Sequence, residues 1–347
     1  MVAAALIRLL DQALDFLAAP DARPKAGATE RLKALARWTM QVLRRPGWKR
    51  PLAGRLTGQC LGLLKSGADQ VATMGGAAPC AASSKEEPLM KPNAIKHDVL
   101  GGKPVAGAMV FEFFSPGMSA ILANAGCRFV LYDMEHTGLG FETLKWLFAS
   151  CRGLPIEPMV RVPRGEYTWL ARALDLGARG VMIPMVESAE HAQAIVQACR
   201  YPPVGRRGAG FGFAQCDYRG GDVGQKIRAY NERTLVIAQI ETERGLDQVE
   251  KIAAVDGIDV LWVGHFDLSN FMGIPAQFND PRFDAAMRKV AAVARAHGKA
   301  AAFMATDAAW IERVREMGYT MIACGTDSGL LELAVKNMVG QIQAEAR

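Results

Sequence analysis

From Val105 onward the sequence repeats one pattern, a short run of β-branched and other apolar residues followed by a stretch with helical spacing. Eight such runs can be marked, at residues 105–111, 129–133, 157–162, 180–184, 235–241, 260–264, 300–304 and 321–325. Short apolar runs of this kind read as strands buried on both faces, and their alternation with helices predicts parallel pairing. Eight is the number that closes a barrel of about 250 residues. The rival, a doubly wound open sheet, would place a G-x-G-x-x-G turn after its first strand, and none follows residue 111. The expected fold is therefore a (β/α)8 barrel. Punctuation agrees: a helical run over 170–176 stops at Gly177, the helix after Asp307 stops at Gly318, and a third over 187–199 stops before Pro202-Pro203.

The texture before residue 90 is different. An amphipathic stretch (3–17), a basic helical stretch (30–45) and a small-residue tract (67–87) predict a partly helical or flexible N-terminal extension over 1–89, dispensable or the product of a start assigned too early, with the barrel domain at 90–347. Charge separates the same way. The chain carries a formal +6, yet residues 1–89 hold 13 Lys and Arg against 7 Asp and Glu, while residues 90–347 hold 28 of each. The barrel is thus balanced, and nucleic acid is not expected as a partner. No apolar run of about 18 residues occurs, so no membrane span is expected. Seven scattered cysteines without a C-x-x-C pair fit reduced thiols in a cytoplasmic protein.

In such a barrel, chemistry is assembled at the carboxyl ends of the strands. Four strands in this chain end in ionisable groups: Asp133-Met134-Glu135-His136, Arg161, Gln239-Ile240-Glu241, and Gly264-His265-Phe266-Asp267. Glu241 and Asp267, on adjacent strand ends, are the metal pair; two carboxylates suit a hard divalent ion that keeps open positions for a bidentate 2-oxo acid. Arg161 is placed to hold an enolate or keto oxygen. His136 is the acid/base candidate, with Asp133 or Asp175 as the carboxylate that orients it. Gln239, Gly264 and His265 share the rim and are substrate-facing candidates. Lys299 begins a strand rather than ending one, so a Schiff-base route has no good lysine.

At these residues the chain resembles the HpcH/HpaI aldolase family of class II pyruvate aldolases over about residues 100–340. The resemblance rests on Tyr-Asp-Met-Glu-His (132–136), Val-Arg-Val-Pro (160–163), Leu-Asp-Leu-Gly-Ala (174–178), Ile-Pro-Met-Val (183–186), Arg-Tyr-Pro-Pro-Val-Gly-Arg-Arg-Gly (200–208), Gln-Ile-Glu-Thr (239–242) and Asp-Leu-Ser (267–269). It implies a barrel of the phosphoenolpyruvate/pyruvate type. It also implies Mg2+, Mn2+ or Co2+ on Glu241 and Asp267, a small 2-oxo acid held by Arg161, and cleavage of a 4-hydroxy-2-oxo acid to pyruvate and an aldehyde. A homo-oligomer, commonly a hexamer, is implied too, with Asp175 reaching His136 across a subunit contact. Phe113 falls where similar proteins line the substrate entrance, and His265-Phe266 makes the rim bulkier and more polar than the family's usual Gly-Pro-Ala-Asp. Arg206, Arg207 and Arg219 are candidates for a second substrate carboxylate. An acyl-CoA lyase of the citrate-lyase kind and a non-catalytic binding barrel are the alternatives.

Overall fold

The computed structural model describes residues 90–344; the predicted extension over 1–89 lies outside them. The eight predicted strands all form: β1 (Val105–Val110), β2 (Phe129–Asp133), β3 (Glu157–Arg161), β4 (Gly180–Ile183), β5 (Leu235–Ile240), β6 (Val260–Val263), β7 (Ala300–Met304) and β8 (Met321–Thr326). They pair in sequence order, every neighbour parallel, and β1 closes onto β8. Five strands stop one residue short of the predicted end. At Phe111 the reason is visible: its N–H leaves the ladder and donates to the Asp327 carboxylate.

A helix α1 (Ala94–Leu100) precedes β1 and closes the amino-terminal end of the barrel. Its Ile95 and Val99 join the interior cluster, and Asn93 Nδ2 donates to the carbonyls of Arg179 and Arg233, just ahead of β4 and β5. The returning helices are α2 (Met118–Asn124), α3 (Phe141–Ser150), α4 (Tyr167–Asp175), α5 (Ala189–Cys199), α6 (Val223–Arg233), α7 (Glu243–Asp247), α8 (Val249–Ala253), α9 (His265–Phe271), α10 (Pro281–Ala296) and α11 (Ala308–Met317). Local chemistry sets their ends. Asp307 accepts from the Trp310 N–H at the start of α11, and Gly318, at φ 92°, takes the left-handed turn that stops it. Ser188 caps α5, two residues later than the sequence pattern placed its start.

Two apolar shells result. Val105, Met109, Phe129, Leu131, Met159, Met182, Leu235, Ile237, Val260, Trp262 and Met321 fill the interior, while alternate residues such as Val130, Val160, Val181, Val236 and Leu261 pack outward against the helices. The last helix, α12 (Asp327–Ala344), follows β8 directly; of its residues only Asp327 is buried. Cys127, Cys151, Cys199 and Cys216 are buried free thiols. No helix among the described residues is long and apolar enough to cross a membrane.

Candidate active site

The period-two alternation that fills the barrel also builds its mouth. On β5, Leu235 and Ile237 point inward, so Gln239 and then Glu241 come next on the same face. On β2 and β3 the inward series run Phe129, Leu131, Asp133 and Met159, Arg161, and Asp133 and Arg161 stand opposite each other in register. The polar rim is therefore a layer laid directly on the apolar one.

Asp133 is fully buried, and its Oδ1 accepts from Arg161 Nε at 2.5 Å. Its other contacts are with backbone: the N–H groups of Glu135 (3.3 Å) and His136 (2.9 Å). Asp133 therefore positions the arginine and the turn; it does not orient the imidazole, as the sequence had allowed. Arg161 Nη1 lies 3.1 Å from Glu135 Oε2, and its guanidinium sits 5.3 Å from the centre of the Phe111 ring. Nη2 is uncommitted among the described residues.

Glu241 is 2% exposed. Its Oε1 accepts from the Met185 N–H at 2.6 Å and its Oε2 from Gln239 Nε2 at 2.5 Å. Met185 holds a left-handed φ of 54°, a strained backbone for a side-chain-bearing residue, and that conformation delivers its N–H to the carboxylate. Burial, with the charges of Glu135 and Asp267 nearby, pushes Glu241 up to about 7. Burial likewise raises Glu135 above the ordinary carboxylate range, against the pull of Arg161. Gly264 is required by space: a Cβ there would stand 2.4 Å from Glu241 Oε2 and 2.7 Å from Gln239 Nε2. It walls the carboxylate in rather than touching substrate through a side chain. Asp267 lies half-buried in the first turn of α9, where the helix dipole favours an anion.

The remaining candidates divide. His136 stands at the mouth with its side chain 56% exposed, and Nε2 lies 3.7 Å from Glu135 Oε2. Phe113 is exposed on the β1–α2 loop, which a single carboxylate fixes: Asp327 accepts from the N–H groups of Phe111, Glu112 and Phe113 at 2.9, 3.1 and 2.6 Å.

His265 does not serve the mouth. It is buried among Phe266, Phe278, Phe303 and Trp310, and desolvation lowers its pKa to about 4. The expectation of a more polar rim at that position is therefore wrong. Asp175 ends α4, which runs back from the mouth, so within one chain it lies at the opposite end of the barrel from His136; its partner is Arg207. Arg207 is itself buried between the rings of Tyr201 and Tyr230, at 4.7 and 4.5 Å, which removes it as a receptor for a substrate carboxylate in its own chain. Arg219 lines a cavity at the amino-terminal end of the barrel, far from the rim.

Glu135, which contacts Arg161, and Asp327, which fixes the β1–α2 loop, are rim contacts to which the sequence assigned no role. The signal for Glu135 was its place in the loop after β2, between two residues already chosen.

Two carboxylates, Glu241 and Asp267, with Gln239 Oε1 buried and unpartnered beside them, form a hard-oxygen set suited to a divalent ion. No cluster of three or more His, Cys, Asp or Glu able to hold a metal occurs among the described residues. Water and substrate would complete the coordination, as is usual for Mg2+-type sites.

Comparison with known proteins supports the same reading. The model of the HpcH/HpaI aldolase/citrate lyase family matches residues 109–334. A hydroxypyruvate/pyruvate aldolase of Roseovarius nubinhibens is 34% identical over 239 residues, covering 69% of this chain and 92% of the relative. A 2-keto-3-deoxy-L-rhamnonate aldolase of Klebsiella pneumoniae is 31% identical, covering 73% and 94%. The crystal structure of an HpcH/HpaI aldolase from Desulfitobacterium hafniense superposes with a TM-score of 0.69 at 30% identity, covering 72% of this chain and 96% of that one. With the barrel, the rim and these matches in agreement, the chain belongs to the HpcH/HpaI aldolase/citrate lyase family of carbon–carbon lyases.

Proposed function

We propose that this chain is a divalent-metal-dependent aldolase that cleaves 4-hydroxy-2-oxo acids into pyruvate and an aldehyde. The observation that carries the reading is a charge imbalance at the mouth: the carboxylates of Asp133, Glu135, Glu241 and Asp267 influence one another around the guanidinium of Arg161. Such a set calls for added positive charge, and Glu241 and Asp267 would hold Mg2+, Mn2+ or Co2+. When bound, that ion supplies Lewis acidity beside the carboxylate and keto oxygens of a 2-oxo acid.

The chain's own groups account for the rest. Arg161, fixed by Asp133 and Glu135, offers Nη2 to the keto oxygen and stabilises it as enolate charge develops. His136 takes the proton from the C4 hydroxyl; the C3–C4 bond breaks, its electron pair stays on the pyruvyl fragment as an enolate, C4 departs as the aldehyde carbonyl, and a proton returned to C3 gives pyruvate. Phe111 and the loop carrying Phe113 form the apolar side of the entrance. An imidazole this exposed needs a carboxylate to orient it, and Glu135 already serves Arg161. Asp175 from a second copy of the chain takes that role, in a homo-oligomer that we read as hexameric. The exposed apolar residues of α12 (Leu331, Leu333, Met338 and Ile342 among them) support assembly.

Calorimetric titration of metal-stripped protein with Mn2+ tests the ion site. One site per chain is expected, weakened more than about 100-fold in Glu241→Gln and in Asp267→Asn, since even outer-shell changes cost about 10–100-fold. Binding that is the same in both variants as in the wild type would remove the proposal.

A further inference from the structure

One cavity of the barrel lies away from the mouth. It has a volume of about 460 Å³ and opens at the amino-terminal end, against the starts of β3 and β4; its charged lining is Lys91, Arg152, Glu157, Arg179, Asp217 and Arg219. Cations outnumber carboxylates there by four to two. Arg179 is the deepest of them in its bonding deficit. Its side chain is 11% exposed, and its ion pairs are long, with Nε 3.6 Å from Glu157 Oε2 and Nη2 3.5 Å from Asp217 Oδ2. Its Nη1 is buried and has no partner among the described residues.

The ground behind the cavity is also cationic. Arg233 is 5% exposed, bonds the Gln215 carbonyl and likewise leaves Nη1 unpartnered. Lys226 is 2% exposed and donates to the Arg219 carbonyl at 2.6 Å. Burying guanidinium nitrogens without acceptors is unfavourable, so this deficit favours an added acceptor. The backbone adds an independent sign. Asp217 and Tyr218 are successive non-glycine residues in the left-handed region, at φ 50° and 56°, a costly arrangement of the kind that collects at ligand sites. It holds Asp217 beside Arg179 and sets the Tyr218 ring under the Arg152 guanidinium at 4.7 Å.

We infer that this cavity binds a small multivalent anion, a phosphate ester or a di- or tricarboxylate, with Arg179 as the buried anchor and Lys91 and Arg152 as rim contacts. The site is separate from the catalytic mouth, and the anion competes with Asp217 and Glu157 for Arg179.

The test is calorimetric titration of the full chain, stripped of divalent ions, with inorganic phosphate, pyrophosphate and tricarballylate in separate runs. One saturable site per chain is expected for at least one probe, weakened by added salt. Preference for the phosphates or for tricarballylate assigns the chemical source. Arg179→Gln should weaken binding at least ten-fold, whereas Asp217→Asn, which removes a competing carboxylate, should tighten it. The opposite signs guard against a variant that merely unfolds. Arg161→Lys, at the mouth, should leave the affinity as it was. No saturable binding of any probe would overturn the inference. So would an affinity that is indifferent to Arg179 and Asp217 but lost with Arg161.

Discussion

Asp133 and Gly264 carry much of the site without touching substrate. The buried Asp133–Arg161 pair couples two strand ends; removing Asp133 leaves Glu135 facing Arg161 Nη1 but takes the acceptor from Arg161 Nε and from the N–H groups of Glu135 and His136. Asp133→Ala is expected to lower unfolding free energy by about 1–3 kcal/mol, measured by urea denaturation; a change within about 0.5 kcal/mol would show that these donors are solvated. Gly264→Ala should act differently. Its methyl would displace the Glu241 carboxylate, and an ångström of misplacement costs about 100-fold in kcat; turnover should collapse while the thermal transition stays within a few degrees. Asp133, Arg161, Gln239 and Glu241 were legible in the sequence because each continues an inward strand series already marked by apolar residues. Arg207 and His265 were misread because part of their aromatic surroundings, Tyr230 in one case and Phe278, Phe303 and Trp310 in the other, comes from later segments that only the fold brings close.

At the level of elements, contacts between segments decide what the strand pattern leaves open. Asp327, the first residue of α12, gathers three backbone N–H groups of the β1–α2 loop. Asp327→Ala strands those donors and should destabilise the protein by about 1–3 kcal/mol, with a raised KM as the entrance loop loosens; an unchanged KM would show that the loop does not shape the entrance. His265 gives the layer between β7, α9, α10 and α11 a pH dependence. Its folded pKa, about 4, lies below the ordinary value of 6.5, so the unfolded chain takes up the proton first. Its contribution is complete above pH 6.5 and is lost as pH falls toward 4. Between pH 7.5 and 4.5 the wild type should lose about 2–3 kcal/mol that His265→Phe retains, read from urea unfolding at both values. Equal losses in the two proteins would place the acid sensitivity elsewhere. Nothing in the sequence signalled the Asp327 clamp, because a carboxylate that opens a helix reads as an ordinary cap until the loop it meets is known.

For the whole molecule, the barrel was legible from end to end: eight apolar runs spaced by helices admit few topologies, and parallel closure follows from the right-handed crossover. The proposed mechanism has a second copy of the chain complete the site. Asp175 and His136 occupy opposite ends of one barrel, so a shared site needs two copies. His136→Ala and Asp175→Asn, each inactive alone, should regain up to about a quarter of wild-type turnover when mixed and allowed to exchange subunits, as random pairing in a closed oligomer predicts. No recovery in a mixture shown to have exchanged would leave the imidazole to its own chain.

The central claim is tested most directly by pyruvate release from racemic 4-hydroxy-2-oxoheptanedioate, followed with Mn2+ present and again after chelation. The account predicts release that requires the ion and is abolished in Glu241→Gln and Asp267→Asn. Release that persists under chelation, or the absence of release from folded, ion-loaded protein with this and with 2-dehydro-3-deoxyglucarate, would contradict it.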